Sequence, residues 1–304
     1  MTKKKILAQK KTLFNDIYIT HDRSIREMWF KGRRDFFLQT RLDLKRPDTI
    51  PMVYPQLMLA ALLIKPHPRR VLMIGLGGGH LARQMLRLFP ETHLDIIEID
   101  PEVVNFAKRY FLFKESCNCK CFIMDGRVFI KKQQKRAAYD IVWLDAFKSG
   151  SVPYHLKTQQ FYEEIQCILT PGGVVGSNLY GKSNDLMPHD LKTFKQVFKY
   201  IYSFQDLEHI ATSLLSTDLE PRISAEEFIA SAKKLDKQYP FSSPLETVAT
   251  LYQDDLLREK VAFVFKDKFS PLEFMENVKR NNLDNNKTTR IYSIASSSFH
   301  EKED

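Results

Sequence analysis

The central part of the chain alternates short apolar runs with amphipathic stretches. The runs at 71–74, 94–99, 120–124 and 140–144 are predicted to be strands, and the first is typical of a strand buried on both faces of a sheet. Between the first two runs, Leu81, Met85 and Leu88 recur at helical spacing. Strands that alternate with helices in this way predict right-handed βαβ units. The fold class is therefore expected to be α/β, with a Rossmann-like, doubly wound and mostly parallel sheet.

The same pattern divides the chain into five segments. Short alternating runs around a Lys31-Gly32-Arg33 turn predict a small antiparallel unit ahead of the main sheet. A buried helix is predicted over 54–64 and must end before the following prolines. The predicted organisation is a basic tail at 1–16, a small N-terminal β unit at 17–53, a nucleotide-binding catalytic domain at 54–216, a C-terminal helical extension at 217–280 and a polar tail at 281–304.

Charge and composition narrow the set of partners. The formal net charge is +9, and five lysines fall within the first eleven residues. No aromatic residue interleaves with them before Phe14, so a base-stacking surface is not indicated and no specific nucleic acid is expected. The most apolar stretch, 57–64, is far shorter than the roughly 20 residues that span a bilayer, so no membrane partner is expected. With no apolar leader near its start, the chain is interpreted as cytoplasmic.

Cysteine and histidine give no predicted metal site. Cys117, Cys119 and Cys121 alternate as residues on one face of a strand do, and neither His nor a fourth Cys lies nearby in sequence. Packing in a reducing compartment is therefore favoured over metal binding. Three histidines have no evident orienting partner in the sequence and are assigned structural or solvated roles: His80, His155 and His189.

A glycine-rich loop is the sharpest chemical feature. It reads Gly75-Leu-Gly77-Gly78-Gly79, directly after a predicted strand and directly before a helix. Glycines there let the backbone turn tightly and approach a ligand, and the helix start offers free N–H groups. The sixth position is His80, so the match is to G-x-G-x-G and not to the full dinucleotide fingerprint.

Three carboxylates follow the next strands. Glu98 ends the second strand, where a carboxylate can accept hydrogen bonds from both hydroxyls of a ribose. Asp100 is more simply explained as a helix cap. Asp125-Gly126 follows the third strand and is predicted to meet the adenine amino group, although a plain turn is the alternative. Asp145 ends the fourth strand at the same edge of the sheet.

These motifs together resemble the catalytic domain of the spermidine synthases, the polyamine aminopropyltransferases, over about residues 70–180. The resemblance is carried by VLMIGLGGGHLARQMLRLFP, LDIIEIDPEVVNFAKRYF, MDGRVFI, YDIVWLDAF and FYEEIQCILTPGGVV. It implies transfer of an aminopropyl group from decarboxylated S-adenosylmethionine to an amine, with Asp145 as the general base. It further implies that Gly75, Gly77, Gly78, Gly79, Glu98, Asp125 and Gly126 bind the nucleotide, that Gln39 and Tyr54 contact the amine, and that the protein forms a homodimer.

The chain departs from the family pattern on the amine side. Where the family has an acid in the glycine loop that helps hold the amino end of the donor, this chain has Gly78, and Lys148 stands near where the family has a second acid that grips the polyamine. A diammonium substrate should be held by several carboxylates. Three hypotheses therefore stay open: an aminopropyltransferase with an unusual acceptor, a methyltransferase using intact S-adenosylmethionine in the room left by the missing acid, and a non-catalytic nucleotide binder on the same fold.

Overall fold

The computed structural model describes residues 4–32, 36–133, 138–146, 152–180, 187–208, 211–254, 262–268 and 293–294. Within them the chain forms two sheets, one small and antiparallel and one large and mostly parallel. Lys148, which stands where a second acid is expected, lies outside the described residues.

The small sheet is formed by the N-terminal part of the chain. Its order is β1-β2-β3-β4-β13, all antiparallel, with β1 at Lys5–Lys11, β2 at Asp16–Asp22, β3 at Ile25–Lys31, β4 at Phe36–Asp43 and β13 at Ser293–Ile294. The prediction of a basic tail over 1–16 was wrong for residues 5–11. Strand β1 pairs along β2, and Leu7 and Ala8 pack on the core while the lysines face solvent, a charge pattern typical of edge strands.

The large sheet confirms the predicted mostly parallel fold. Its order is β12-β10-β11-β9-β8-β5-β6-β7, with β5 at Arg70–Ile74, β6 at His93–Glu98, β7 at Cys119–Ile123, β8 at Tyr139–Leu144, β9 at Leu169–Tyr180, β10 at Tyr200–Gln205, β11 at Ala211–Thr217 and β12 at Tyr252–Gln253. In this spatial order, the five neighbouring strands β9, β8, β5, β6 and β7 pair in parallel. The strands on the other side of β9, namely β11, β10 and β12, pair antiparallel. The carboxyl ends of β5 to β8 therefore meet at one edge.

The helices lie between these strands at α1 Val53–Met58, α2 Ala61–Ile64, α3 His80–Leu88, α4 Pro101–Tyr110, α5 Gly126–Gln133, α6 Gln159–Gln166, α7 Met187–Lys195, α8 Ala225–Gln238 and α9 Leu245–Ala249, with a 3₁₀ helix at Tyr154–Leu156. The single helix predicted over 54–64 is two short helices. No helix in the described part of the chain has the length and apolarity needed to cross a bilayer.

The core covers both faces of the large sheet. On one face, α8 of the predicted C-terminal extension packs Phe228, Ala232 and Leu235 into the same apolar cluster as β5 and α3. The extension also adds β12 to the large sheet, so it is continuous with the central domain. The small sheet joins the rest of the chain through a separate apolar cluster. In this cluster, Phe106 of α4 and Phe111 at the end of α4 pack against the strands of the small sheet.

Candidate functional site

Four sequence motifs meet at one edge of the large sheet. In the strand order β8-β5-β6-β7, Asp145 follows the first strand, the glycine loop the second, Glu98 ends the third and Asp125 follows the fourth. The main chain holds the motifs in register, since Gly75 N donates to Ile97 O and Asp145 N donates to Ile74 O, both at 2.8 Å. The predicted candidate residues are thus neighbours across the sheet edge, where open α/β folds bind ligands.

The glycines of the loop differ in what they permit. Gly75, Gly77 and Gly79 have φ angles of 100°, 54° and 74°, in the left-handed region that favours glycine. A Cβ on Gly75 would lie 2.3 Å from the main-chain oxygen of Asp145, whereas a Cβ on Gly77 would meet only Gln39 O at 3.9 Å. Gly75 is therefore required for packing, and Gly77 leaves open space above the loop.

This difference predicts stability losses of different size for two alanine variants. Gly75→Ala should lower the free energy of unfolding by about 3 kcal/mol or more, because strain adds to a main-chain clash. Gly77→Ala should lower it by only about 1 kcal/mol, the cost of a left-handed alanine, while weakening the binding of the nucleotide that the motifs imply. Urea unfolding and calorimetric titration measure the two effects, and equal stability losses would contradict the assignment.

The space beside Gly78 is occupied. A Cβ at Gly78 would lie 2.6 Å from Thr40 Cγ2 and 2.7 Å from Thr40 Oγ1, so the side chain of Thr40 fills the position of a loop carboxylate. Thr40 Oγ1 shares a 2.8 Å hydrogen bond with His80 Nδ1. The suggestion that the missing acid leaves room for a methionine carboxylate was therefore wrong, because strand β4 brings Thr40 into that room.

Glu98 is buried and held by two backbone donors. Leu76 N donates to Oε2 and Asp100 N to Oε1, each at 3.0 Å. Burial raises the pKa of Glu98 to about 7, and these hydrogen bonds only partly offset that effect. A carboxylate has about four acceptor sites, so Glu98 can still accept a hydrogen bond from a ribose hydroxyl. Asp100 is the N-cap of α4, as expected, and its side chain also accepts hydrogen bonds from Thr12 and Asn15.

Asp125 is paired with a histidine that the sequence did not link to it. Its Oδ1 accepts from Arg127 N and Val128 N at the start of α5, and its Oδ2 lies 2.8 Å from Nε2 of buried His155. Burial alone would raise the pKa of Asp125, but the hydrogen bond and charge of His155 outweigh it and the pKa is lowered. Gly126 packs against Ile74, where a Cβ would lie 2.5 Å from Cγ2.

Asp145 is a second carboxyl at this edge whose pKa is raised. Burial raises its pKa to about 7, hydrogen bonds from Asn178 and Tyr54 lower it in part, and the charge of Glu98 raises it again. The Asn178 amide donates to Asp145 Oδ1 at 2.9 Å from the neighbouring strand β9. A carboxyl with a pKa near neutrality is suited to accept a proton at physiological pH.

The two residues predicted to contact the amine lie near Asp145 in different ways. The Tyr54 hydroxyl is 3.2 Å from Gln39 O, and Tyr54 and Asp145 line one pocket. The Gln39 side chain instead donates to Phe37 O at 3.1 Å, so its main-chain carbonyl is the part that faces Tyr54 and the glycine loop. The Tyr54 side chain thus lies at the site, whereas Gln39 reaches it with its main-chain carbonyl and not with its side chain.

The remaining histidine and the cysteine residues considered in the sequence analysis have contacts typical of structural roles. His189 Nδ1 accepts from Phe263 N at 2.9 Å, consistent with a structural role. All four cysteines are free thiols, and burial raises the pKa of Cys119 and of Cys121 to about 12. Within the described ranges, no three His, Cys, Asp or Glu side chains gather closely enough to hold a metal ion.

Comparison with known proteins agrees with this arrangement. The spermine/spermidine synthase domain family matches residues 53–208, which include all four motifs and Tyr54. The chain belongs to the spermine/spermidine synthase family. It is 31% identical over 278 residues to the polyamine aminopropyltransferase of Vibrio vulnificus (strain CMCP6), a match that covers 89% of this chain and 91% of that protein. The family membership predicted from the motifs is confirmed.

Solved structures place the fold in the same group. A probable spermidine synthase from Corynebacterium glutamicum superposes with a TM-score of 0.68 at 18% identity, covering 87% of this chain and 97% of the other. Human methyltransferase-like protein 13, solved in complex with SAH, superposes with a TM-score of 0.53 at 25% identity, covering 74% and 96%. The first likeness shows the shared fold, and the second shows that a methyltransferase is also similar to this chain.

Proposed function

We propose that this protein transfers an aminopropyl group from decarboxylated S-adenosylmethionine to an amine. The observation that carries the proposal is Asp145, a half-buried carboxyl with its pKa raised to about 7, at the sheet edge beside the glycine loop and Glu98. Membership of the spermine/spermidine synthase family and the name of the Vibrio relative support the same reaction.

The proposed reaction is a single displacement. The lone pair of the acceptor nitrogen attacks the carbon beside the sulfonium, the carbon–sulfur bond breaks, and its electron pair remains on sulfur in methylthioadenosine. A protonated amine has no free lone pair, so Asp145 takes up one proton from the ammonium group before the nitrogen attacks. Tyr54 and Asn178 hold the carboxylate in place through their hydrogen bonds.

The nucleotide is proposed to lie along the other motifs. Gly77 leaves space for the sulfonium end, the free lone pairs of Glu98 accept the ribose hydroxyls, and Asp125 lies where the adenine amino group is expected. Because Asp125 already accepts two backbone hydrogen bonds and one from His155, it is held rigidly for such a contact.

Methyl transfer from intact S-adenosylmethionine is the second candidate. It is favoured by the likeness to human methyltransferase-like protein 13, which was solved in complex with SAH. Analysis of the acceptor by mass spectrometry distinguishes the two candidates, since the product gains either an aminopropyl or a methyl group. A methylated product would overturn the proposal.

The raised pKa of Asp145 predicts a pH dependence. Only the ionised carboxylate accepts a proton, so kcat should fall as the pH drops below about 7, approaching a tenfold loss per pH unit. Glu98 also has a pKa of about 7 and its charge acts on Asp145, so the profile reports the coupled pair. A kcat that stays constant down to pH 5, measured at saturating donor and amine, would contradict this role.

A further inference from the structure

His155 is buried beside the carboxyl group that is proposed to face the adenine. Its Nε2 lies 2.8 Å from Asp125 Oδ2, and only 3% of its surface is exposed. The hydrogen bond and the charge of His155 lower the pKa of Asp125 against the effect of burial. The carboxylate is therefore ionised at neutral pH, and the Nε2–H group of His155 donates to it.

The contacts of Asp125 leave it one way to meet a ligand. Its Oδ1 accepts from Arg127 N at 2.9 Å and from Val128 N at 3.0 Å. Its Oδ2 accepts from His155, and because a carboxylate oxygen has about two acceptor sites, one site of Oδ2 stays available. An ionised carboxylate has no proton to donate. Only a ligand group that donates a hydrogen bond can therefore pair with it.

His155 is also held in place through its main chain. Arg127 Nη1 donates to His155 O at 3.1 Å, and the same guanidinium binds Glu164 of α6. A segment far along the chain completes this support, since the carboxylate of Asp267 accepts from Arg127 at 2.6 and 2.8 Å. Asp267 also accepts from the hydroxyl of Thr158, the N-cap residue of α6. Helices α5 and α6 and the segment 262–268 thus fix the position from which the imidazole reaches Asp125.

We propose that His155 is a positioning residue that sets the purine specificity of the nucleotide site. By donating to Asp125 it keeps the carboxylate an acceptor, so the site binds a purine with a 6-amino group and rejects one with a 6-oxo group. This inference rests on the placement of adenine in the proposed function. The amino group of adenine donates to the available site of Oδ2, whereas the oxygen of hypoxanthine would set two acceptors against each other.

The same geometry states what happens when the donor is lost. Without His155, the burial of Asp125 is opposed only by its two backbone hydrogen bonds, so its carboxyl group takes up a proton more readily. A protonated carboxyl group can donate to a 6-oxo group as well as accept from a 6-amino group. Removing the donor of His155 should therefore weaken the discrimination between the two purines more than it weakens binding in general.

Two nucleosides test this specificity on the full chain without any turnover. Methylthioadenosine and methylthioinosine differ in one edge of the purine, where the amino group becomes an oxygen and N1 gains a proton. Calorimetric titration at neutral pH should give a Kd at least about tenfold lower for methylthioadenosine. Equal Kd values, or tighter binding of methylthioinosine, would overturn the inference and leave aminopropyl transfer intact. No binding of either nucleoside would overturn the proposed function itself.

A matched pair of variants isolates the donor of His155. His155→Gln and His155→Met have unbranched side chains of similar length, but only glutamine offers an N–H group to Asp125. The ratio of the two Kd values should stay within about threefold of the unmodified protein in His155→Gln, and should come about tenfold closer to one in His155→Met. Both variants lose the packing of the imidazole ring, so a purely structural role would weaken both nucleosides alike. Equal ratios in the two variants would overturn the inference.

The titration of the unmodified chain needs no variant, so a failure of either variant to fold leaves the inference open to contradiction.

Discussion

Replacing Asp145 by asparagine is expected to reduce kcat between about 10²- and 10⁴-fold, the usual contribution of a positioned general base. The side chain keeps its shape, so binding of methylthioadenosine should change little. Rapid-mixing measurements with saturating amine would give kcat, and calorimetry would give the affinity. A variant that retains full turnover would show that another group accepts the proton.

A second consequence of the Asp145 variant concerns stability. The pKa of Asp145 is raised in the folded state to about 7 from an ordinary value near 3.8. Folding therefore favours the protonated acid, and the ionised carboxylate destabilises the protein increasingly as the pH rises between these two values. Asp145→Asn should raise the free energy of unfolding by about 1–3 kcal/mol at pH 8, with the gain shrinking towards pH 4.

Asp140 provides the matched control on the same strand. Its carboxylate accepts hydrogen bonds from Arg69 N, Arg70 N and Thr170 Oγ1, away from the proposed reaction. Asp140→Asn should lower stability and leave kcat close to that of the unmodified enzyme. The opposite behaviour of the two asparagine variants would separate a catalytic carboxyl from a structural one.

Replacing Arg127 by methionine is expected to destabilise the protein by about 3–5 kcal/mol. The guanidinium is completely buried and bonds Glu164 and Asp267 through two nitrogens each, at 2.6–2.8 Å. Its removal takes the guanidinium from both carboxylates, which keep Lys131 Nζ at 3.6 Å from Glu164 and the Thr158 hydroxyl at 2.7 Å from Asp267. Since Arg127 also donates to His155 O, the hydrogen bond between His155 and Asp125 should loosen and nucleotide affinity should fall as well.

Urea unfolding measures the free energy of unfolding of the Arg127 variant, and a variant of a second arginine, Arg70, serves as the control. Arg70 pairs with Asp95 at 2.9 Å, but 45% of its side chain is exposed. Exposed pairs contribute less than about 1 kcal/mol, so Arg70→Met should be close to neutral. Equal losses in the two variants would contradict the view that the buried network of Arg127 holds the adenine side of the site.

The parallel core and its edge were predictable because each motif directly follows a short apolar strand. Strand alternation alone placed the glycine loop, Glu98, Asp125 and Asp145 at the same edge. Strand β1 was missed because lysines dominate its composition, and its pairing depends on a neighbouring strand and not on its own apolar residues.

The partners of the site residues were not predictable from local pattern. His155 lies 30 residues from Asp125, and Asn178 lies 33 residues from Asp145. Thr40 lies in the small sheet, 38 residues before Gly78 in the sequence, and its side chain contacts the position beside Gly78. These contacts arise from packing between separate elements, and no periodicity or motif spacing in a single chain encodes them.

The identity of the nucleoside released by the enzyme tests the central claim most directly. The full chain is incubated with both sulfonium donors in equal amounts and a mixture of primary amines, and the nucleosides are identified by mass spectrometry, with Asp145→Asn in parallel. Aminopropyl transfer predicts amine-dependent methylthioadenosine that is lost in the Asp145→Asn reaction. Release of S-adenosylhomocysteine instead, or of methylthioadenosine that does not depend on Asp145, would contradict the proposed function.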